Sequence, residues 1–285
     1  MVNHEVKPLA PGLYFVATPI GTARDITLRA LDILASAGVI AAADTRSMKR
    51  LLDIHGVPLG DRPVLAYHDH NGDKMRPRLL AYLAEGKSVA YASEAGTPLI
   101  ADPGFDLGRV ARSEGYLVTA APGPSAVIDA LNISGLPTDR FMFAGFLPNA
   151  QKARQTALSE LSDIPATLVF YESPKRVAQM IADAATVMGG TRQAALCREL
   201  TKKFEEIRRG SLADLATAIQ EKPVKGEIVL LVDRSHSQSV NEADVEEALK
   251  RALETHSVRD AADLVSEMYD LPRRPIYQKA LKLGK

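Results

Sequence analysis

The chain has 285 residues, enough for two domains of ordinary size, and its 46% hydrophobic and 25% charged content is typical of a soluble globular protein. Lys plus Arg and Asp plus Glu each number 35, which excludes a globally basic nucleic-acid-binding protein, so any such contact must use a local patch. A single cysteine, Cys197, excludes an internal disulfide. With neither a signal-peptide pattern nor a long apolar run, we expect a cytoplasmic protein without a membrane span.

The first half of the chain alternates short apolar runs with amphipathic segments. This alternation predicts a mostly parallel sheet with helices on both faces. The carboxyl ends of parallel strands share one edge of a sheet, and ligands bind at that edge in open α/β folds. The strands are predicted at residues 13–17, 39–43, 64–67, 89–92 and 117–121.

The most informative loop is residues 93–104, Ser-Glu-Ala-Gly-Thr-Pro-Leu-Ile-Ala-Asp-Pro-Gly, which follows the strand at 89–92. Its small, proline-punctuated sequence predicts a tight loop that presents backbone N–H and C=O groups to a small ligand. Asp102 and Pro103 predict the start of the next helix, because aspartate caps free N–H groups and proline fits the first turn.

The second half predicts a separate α/β domain with a mixed sheet. Ser173-Pro174 is expected to open one helix, and Ser211 with Asp214 forms the capping-box pattern of another. We therefore predict a first α/β domain over 12–136, a second over 137–234, a polar linker around 235–239 and an extension of two helical stretches over 240–285. The extension carries a cluster of basic residues: Arg273, Arg274, Lys279, Lys282 and Lys285.

Several common motifs are missing. The sequence has neither a Gly-x-Gly-x-x-Gly fingerprint after the first strand nor a Gly-x-x-x-x-Gly-Lys-Ser/Thr loop, which disfavours ordinary dinucleotide and nucleoside-triphosphate binding. No Cys/His array has zinc spacing, and His68-Asp69-His70 is a weak metal pattern that equally suits exposed polar residues. We expect no metal.

Taken together and in order, the loop motifs resemble those of the ribosomal RNA small subunit methyltransferase I family, within the tetrapyrrole methylase superfamily of class III methyltransferases. The resemblance runs from about residue 12 to residue 232 and more loosely to the C-terminus. The motifs that carry it are Thr18-Pro19-Ile20-Gly21, Asp44-Thr45-Arg46, His68-Asp69-His70-Asn71, Ser93-Glu94-Ala95-Gly96-Thr97-Pro98, Asp102-Pro103-Gly104, Pro122-Gly123-Pro124-Ser125 and Phe170-Tyr171-Glu172-Ser173.

The resemblance implies two α/β domains with S-adenosyl-L-methionine in the cleft between them, and a homodimer. It also implies methylation of the ribose 2′-hydroxyl of a cytidine in the decoding region of 16S rRNA, in the 30S ribosomal subunit. The cofactor-binding residues carried over are Pro19, Gly21, Ser93, Glu94, Ala95, Gly96, Thr97, Pro98, Ile100, Asp102, Pro124, Ser125, Tyr171, Leu200 and Gly226.

Three positions depart from the family pattern. Ala43 stands where an acidic residue is usual, Glu94 replaces an aspartate, and Thr22 replaces an asparagine. Glu94 keeps the charge on a longer arm, so cofactor binding is expected to persist. The missing carboxylate at Ala43 weakens any mechanism that would need one there.

A ribose hydroxyl is a poor nucleophile at neutral pH, so some group should accept its proton or steady the developing alkoxide. The candidates for this catalytic role are Asp44, Arg46, His68, Glu172 and Glu199. For Arg46 the alternative is a phosphate contact that positions RNA without reading its sequence. For Glu172 and Glu199 the alternative is a salt bridge at a sheet edge.

Two other functions remain open from the sequence. A small-molecule methyltransferase of the same superfamily, acting on a tetrapyrrole, would need an apolar cleft wide enough for a macrocycle. A nucleotide-sensing module without catalysis would transfer no methyl group to any RNA. Asp44-Thr45-Arg46, His68-Asp69-His70 and the basic extension favour an anionic polymer as substrate instead.

Overall fold

The structure is a computed structural model that describes residues 3–68, 71–102, 104–235, 242–269, 271 and 273–284. Asp69, His70, Pro103, the linker residues 236–239 and Lys285, which the sequence analysis singled out, lie outside the described residues. The described chain forms two five-stranded sheets followed by a helical unit. In the described part, no helix is long and apolar enough to cross a membrane.

The first sheet is entirely parallel, as predicted, with strand order β3-β2-β4-β1-β5. Its strands are β1 (Gly12–Val16), β2 (Val39–Ala42), β3 (Val64–Ala66), β4 (Ser88–Ala92) and β5 (Val118–Ala121). Helices α1 (Leu28–Ser36) and α2 (Thr45–Ile54) bury their apolar sides on one face, and α3 (Gly72–Ala84) and α4 (Phe105–Ser113) do so on the other. The loops that follow the five strands therefore lie at one edge of this sheet.

The second sheet is mixed, again as predicted, with strand order β6-β7-β10-β8-β9. Only β6 and β7 pair in parallel, and the other three pairings are antiparallel. The strands are β6 (Phe141–Phe146), β7 (Thr167–Glu172), β8 (Gln193–Arg198), β9 (Glu206–Ser211) and β10 (Ile228–Val232). One face packs against α6 (Gln151–Leu161), α7 (Val177–Met188) and α8 (Leu212–Glu221).

The other face of the second sheet is covered by α5 (Ala126–Ser134), a helix that the sequence analysis did not predict. It follows β5 of the first sheet, yet Val127 and Leu131 pack against Val169 and Val229 of the second. Ile20, from the loop after β1, joins the same buried cluster. The two halves thus share apolar packing, and the predicted boundary between residues 136 and 137 stays a prediction.

Two predicted helix starts are wrong, and one is confirmed. Helix α4 begins at Phe105 with Gly104 as its N-cap, and no side chain caps it; Asp102 instead accepts a hydrogen bond from the Tyr91 hydroxyl at 3.1 Å. Helix α7 begins at Val177, one turn later than Ser173-Pro174 suggested. At Ser211, the hydroxyl accepts from the N–H of Asp214 and the full capping box forms.

The C-terminal unit has three helices where two helical stretches were expected: α9 (Glu242–Leu253), α10 (Val258–Met268) and α11 (Arg273–Leu283). The extra division comes from Ser257, whose hydroxyl caps α10 by accepting from the N–H of Asp260. Leu249, Val265 and Ile276 belong to a core of this unit alone. Arg273 of the basic cluster pairs with Asp263, so part of the positive charge of that cluster is neutralised within the unit.

One buried ion pair ties α6 to α7. Arg154 and Asp183 have side chains only 3% and 5% exposed, and the Arg154 Nη2 lies 2.7 Å from Asp183 Oδ2. Gln151 and Gln155 donate to the other oxygen, Oδ1. Burial by itself would raise the pKa of Asp183, but these donors and the guanidinium outweigh it and hold the pKa below the ordinary 3.8.

We predict that Asp183→Ala lowers the free energy of unfolding by about 3–5 kcal/mol, because it leaves a buried guanidinium without its counter-charge. Urea denaturation at pH 7 measures the change, and Glu160→Gln on the exposed side of α6 should change it by less than about 0.5 kcal/mol. Since the folded pKa is lowered, the stabilisation is complete above the ordinary pKa and disappears as the pH falls through the folded value. A loss under about 1 kcal/mol at pH 7 would contradict the assignment.

Candidate functional site

At the carboxyl edge of the first sheet, the loops after β1, β4 and β5 are bound to one another. Thr18 and Gly96 exchange two backbone hydrogen bonds, from Thr18 N to Gly96 O at 2.9 Å and from Gly96 N to Thr18 O at 3.0 Å. The Thr97 hydroxyl donates to the carbonyl of Pro124 at 2.9 Å, and the buried Ser93 hydroxyl donates to the carbonyl of Gly96. The Thr18 hydroxyl also donates to the carbonyl of Ser93 at 3.1 Å, so Ser93 and Pro124 each join two of these loops.

Facing these loops, the ends of β6 and β7, the start of β10 and the loop between β8 and β9 close a cleft of about 710 Å³. The structure brings most of the predicted cofactor residues to this cleft; Ser93, Pro98 and Pro124 of that set do not line it. The predicted residues that do line it are Pro19, Gly21, Glu94, Ala95, Gly96, Thr97, Ile100, Asp102, Ser125, Tyr171, Leu200 and Gly226, together with Glu172 from the catalytic candidates.

Ten further residues that line the cleft are not among those predicted from the sequence. Several are neighbours of predicted ones within the same motif, and that motif is the sequence signal for them. Ser47 and Phe146 carried no comparable pattern, because only the tertiary fold brings the first turn of α2 and the end of β6 to the cleft. The ten are Ile20, Ser47, Ala101, Ala126, Phe146, Ser173, Pro174, Glu227, Ile228 and Val229.

Two glycines allow the cleft walls to approach closely. A Cβ added to Gly21 would lie 2.5 Å from Thr201 Oγ1 and 2.9 Å from the carbonyl oxygen of Leu200. A Cβ added to Gly226, whose φ is +91°, would lie 2.5 Å from Cδ of Glu199. Next to Gly21, the N–H of Thr22 donates to Thr201 Oγ1 at 3.0 Å, which links the two halves directly.

Backbone strain is concentrated in two loops that line the cleft. Among the residues the structure describes, the non-glycine positions with positive φ are Leu99 (72°), Ala101 (53°), Glu199 (51°) and Thr201 (61°). L-residues rarely adopt this conformation, which costs about 1–3 kcal/mol per residue and persists where the surrounding structure enforces it. Such strain clusters at functional sites.

An aromatic group forms one wall of the cleft. Tyr171 makes edge-on contacts with Phe143 and Phe146, at centroid distances of 4.8 and 5.8 Å. Phe146 is 57% exposed although it lines the cleft. Burial raises the pKa of the Tyr171 hydroxyl, so this residue is a neutral phenol at physiological pH.

Asp44 and Arg46 lie at the start of α2 and do not line the cleft. Asp44 is the N-cap: its carboxylate accepts from Arg46 N at 2.8 Å and from the Ser47 hydroxyl at 3.1 Å. The backbone hydrogen bond from Arg46 is the largest of the effects that lower the pKa of Asp44. A carboxylate held in this way is a weak proton acceptor. The Arg46 side chain is 94% exposed, and its Nε lies 3.8 Å from Asp44 Oδ1.

Glu199 also has a structural position. Its Oε1 accepts from the N–H of Glu227 at 3.0 Å and from Lys202 Nζ at 3.1 Å, beneath Gly226. The bond from Glu227 is the largest effect that lowers the pKa of Glu199. Glu199 thus supports the wall of the cleft as an ionised carboxylate and does not line it.

His68 follows β3, an edge strand of the first sheet, and does not line the cleft; its backbone N–H donates to Asn71 Oδ1 at 2.9 Å. Glu172 is the one catalytic candidate that does. Its side chain has no exposed area, Oε1 accepts from Ser173 N at 2.7 Å, and Oε2 lies 3.2 Å from Arg176 Nη2. The salt bridge considered for Glu172 in the sequence analysis is therefore present.

Comparison with known proteins places this architecture in one family. The sequence pattern described as Tetrapyrrole (Corrin/Porphyrin) Methylases matches residues 12–216, and the one described as RsmI C-terminal HTH domain matches residues 239–284. Among solved structures, a cobalt precorrin-4 methyltransferase aligns with TM-score 0.59 and 18% identity, over 78% of this chain and 94% of its own. A diphthine synthase aligns with TM-score 0.58 and 16% identity, over 78% and 89%. At these identities the likeness concerns the fold alone.

Closer relatives cover nearly the whole chain. Proteins named "Ribosomal RNA small subunit methyltransferase I" from Mesorhizobium japonicum and Escherichia coli O157:H7 are 44% and 40% identical to it. The first alignment covers 97% of this chain and 94% of the relative, and the second covers 99% of both. The two sheets, the cleft between them and the matching C-terminal unit agree with this similarity: the chain belongs to the ribosomal RNA small subunit methyltransferase I family of the tetrapyrrole methylases.

Proposed function

We propose that this chain is an S-adenosylmethionine-dependent methyltransferase of small-subunit ribosomal RNA, and that its acceptor is the 2′-hydroxyl of a cytidine in the decoding region of 16S rRNA. The observation that carries the proposal is the cleft enclosed by loops of both sheets, in a chain 40–44% identical to proteins named "Ribosomal RNA small subunit methyltransferase I". We further propose that it acts as a homodimer.

The residues of the cleft fit S-adenosylmethionine. A volume of about 710 Å³ lies in the usual range for small-molecule sites. Ile20, Tyr171 and Ile228 offer apolar surface for the adenine, while the backbone around Gly96 and the hydroxyl of Ser125 offer polar groups for the ribose and amino-acid parts. At Gly21 and Gly226 the walls are so close that no Cβ fits. These features suit a ligand held mainly by shape and backbone groups.

When bound, the cofactor supplies a methyl group already activated on a sulfonium. The chain's own residues then have to align the acceptor hydroxyl, exclude water and accept a proton. The loop at 94–102 and the start of α2 border the cleft on the side of the first sheet, so they are the elements placed to orient an acceptor. Ser47 lines the cleft, and Arg46 beside it projects into solvent.

Local basic residues supply the RNA contact that the neutral chain lacks as a whole. Arg46, Lys49 and Arg50 are exposed on α2, whose first turn reaches the cleft through Ser47. Phosphate contacts position RNA without reading its sequence, so this group is suited to hold the backbone that flanks the acceptor nucleotide. On this account Arg46 acts in positioning.

We predict that Gly226→Ala weakens binding of S-adenosylhomocysteine more than tenfold, because the new Cβ collides with Glu199 and shifts the cleft wall. Gly189→Ala is the matched control: its φ is also positive, at +95°, but its Cβ would meet nothing within 4 Å. Isothermal titration calorimetry of both variants decides the matter. Equal affinities for the two would remove the wall at Gly226 from the cofactor site.

We predict that Arg46→Ala raises the apparent KM for 30S subunits and flattens the dependence of log affinity on log salt by about 0.7–0.9, the slope of one phosphate contact. Turnover at saturating subunit and cofactor affinity should stay within about twofold. Arg112→Ala, at the far end of α4, is the control and should change none of these quantities. Kinetics at two salt concentrations test this, and a fall in turnover with KM and salt dependence unchanged would assign Arg46 to the chemical step instead.

The proposed function is tested by methyl transfer from tritiated S-adenosylmethionine to 30S subunits, naked 16S rRNA and a tetrapyrrole precursor. We expect label in 30S subunits above the other two, and 2′-O-methylcytidine after nuclease digestion of the product. Label on a base would contradict only the proposed acceptor atom and would leave the RNA substrate standing. Label in the tetrapyrrole alone would contradict the RNA substrate.

A further inference from the structure

Phe146 stands at the end of β6, an edge strand of the second sheet, and lines the cleft although 57% of it is exposed. One exposed phenylalanine carries little meaning by itself, because folded proteins expose many apolar atoms. The backbone of β6 and the ring beside Phe146 give this one a defined place. The residues around the cleft then indicate what kind of molecule it meets.

Strand β6 contains a bulge directly before Phe146. Phe143 lies opposite Val169 of β7, but Gly145 lies opposite the next residue, Phe170, so Ala144 is an extra residue in the ladder. Gly145 has a φ of +66°, and a Cβ there would meet nothing within 4 Å, so the backbone conformation and not the space requires glycine. Bulges are rare between parallel strands, which β6 and β7 are, and they are defined features of a fold.

The bulge decides which face of the sheet carries Phe146. Side chains alternate between the faces of a regular strand, so Phe143 and Phe146, three residues apart, would lie on opposite faces. Ala144 packs on the face covered by α6, α7 and α8, and regular alternation would place Phe146 there too. Instead both rings contact Tyr171, at centroid distances of 4.8 and 5.8 Å. The extra residue therefore turns Phe146 toward the cleft, as bulges beside active sites do.

The contact with Tyr171 leaves an aromatic face of Phe146 available. The two ring planes are inclined by 66°, an edge-to-face geometry that occupies at most one face of either ring. Because Phe146 is 57% exposed, a large part of its remaining surface faces solvent at the cleft. A flat apolar face held from one side suits a planar partner, and a nucleobase is such a partner.

The surroundings favour nucleic acid over a second protein surface. Ser173 and Pro174 line the cleft, and Lys175, the next residue, is exposed. On the opposite side, the exposed cations of α2 begin at Arg46, beside the cleft. Aromatic faces together with cations are the usual means of holding single-stranded nucleic acid. A second copy of this chain seated on Phe146 would instead cover the cleft that has to admit the acceptor.

From these observations we propose that Phe146 is a positioning residue on which the base of the acceptor nucleotide stacks; this rests on the proposed methyltransferase function. The nucleotide turns out of its own strand, as enzymes that modify nucleotides within folded nucleic acid require, and its base lies against the Phe146 ring. The ribose is thereby held at the cleft while the flanking phosphates contact exposed cations. Every base has an aromatic face, so Phe146 positions the nucleotide without choosing its base.

The first test is Phe146→Leu, which keeps an apolar side chain and removes the ring. We expect kcat/KM for 30S subunits to fall about 5- to 150-fold, the loss of one base–aromatic stack, with calorimetric affinity for S-adenosylhomocysteine within about threefold. Phe146→Tyr and Phe146→Trp keep a ring and should stay within about threefold of the wild-type kcat/KM. Phe141→Leu is the matched control and should leave kcat/KM unchanged: Phe141 begins the same strand, is 43% exposed, and is not among the described residues that line the cleft.

The second test detects the contact directly. Phe146 is replaced by the photoreactive p-benzoylphenylalanine, the variant is irradiated with 30S subunits and S-adenosylhomocysteine, and the crosslinked nucleotide is mapped by primer extension. We expect the crosslink at the nucleotide that receives the methyl group. The same replacement of Phe141 should give no crosslink there. Absence of a crosslink at the acceptor nucleotide from position 146 would contradict the stack.

The outcomes separate this proposal from the proposed function. Wild-type protein that methylates no RNA would refute the function whatever the variants show. With an active wild type, a normal kcat/KM in Phe146→Leu would refute the role of Phe146 alone. An equal loss of S-adenosylhomocysteine affinity would assign the ring to the cofactor, and Tyr and Trp variants as poor as Leu would assign it to packing against Tyr171. A changed oligomeric state of Phe146→Leu in light scattering would assign it to a contact between copies.

Discussion

The structure depends on close contact between two short loops from different sheets. Gly21 lies against Leu200 and Thr201, and the same region of the second sheet supports Gly226 through Glu199. Contact at this distance leaves no room for a side chain at either glycine. It brings loops from two otherwise separate sheets around one cleft, and α5 and Ile20 add the apolar packing that holds the halves together.

Most of the charge near the cleft is committed to holding this arrangement. Asp44 caps α2, Glu199 binds the N–H of Glu227, and Glu172 is paired with Arg176. Each of these carboxylates thus satisfies a backbone N–H or pairs with a cation. The exposed cations of α2 face solvent beside the cleft, which the first turn of that helix reaches through Ser47.

The sequence predicted the architecture well, because the apolar periodicity of the strands and the loop motifs depends on local chemistry. It placed both sheets, and the parallel and mixed character of each agrees with the structure. It did not predict α5, because nothing local shows that a helix after β5 packs on the other sheet. It also predicted that Asp102 caps α4, because the Asp-Pro-Gly pattern favours a cap and the competing Tyr91 hydroxyl is eleven residues away.

The residues of the candidate site, too, could be predicted from the sequence only in part. Gly21 and Gly96 stand in loop motifs that the sequence shows, and Gly226 was expected from the family resemblance. The choice among Asp44, His68, Glu172 and Glu199 could not be made, because it depends on which side chains face the cleft and which are bound elsewhere. Phe146 and Ser47 became visible only once the sheets were in place.

The central claim is that the cleft between the two sheets holds S-adenosylmethionine, and an experimental structure with S-adenosylhomocysteine bound tests it most directly. The account predicts ligand density between the loop at Gly96 and the wall at Gly226. Density elsewhere on the protein, with this cleft empty at saturating ligand, would contradict it.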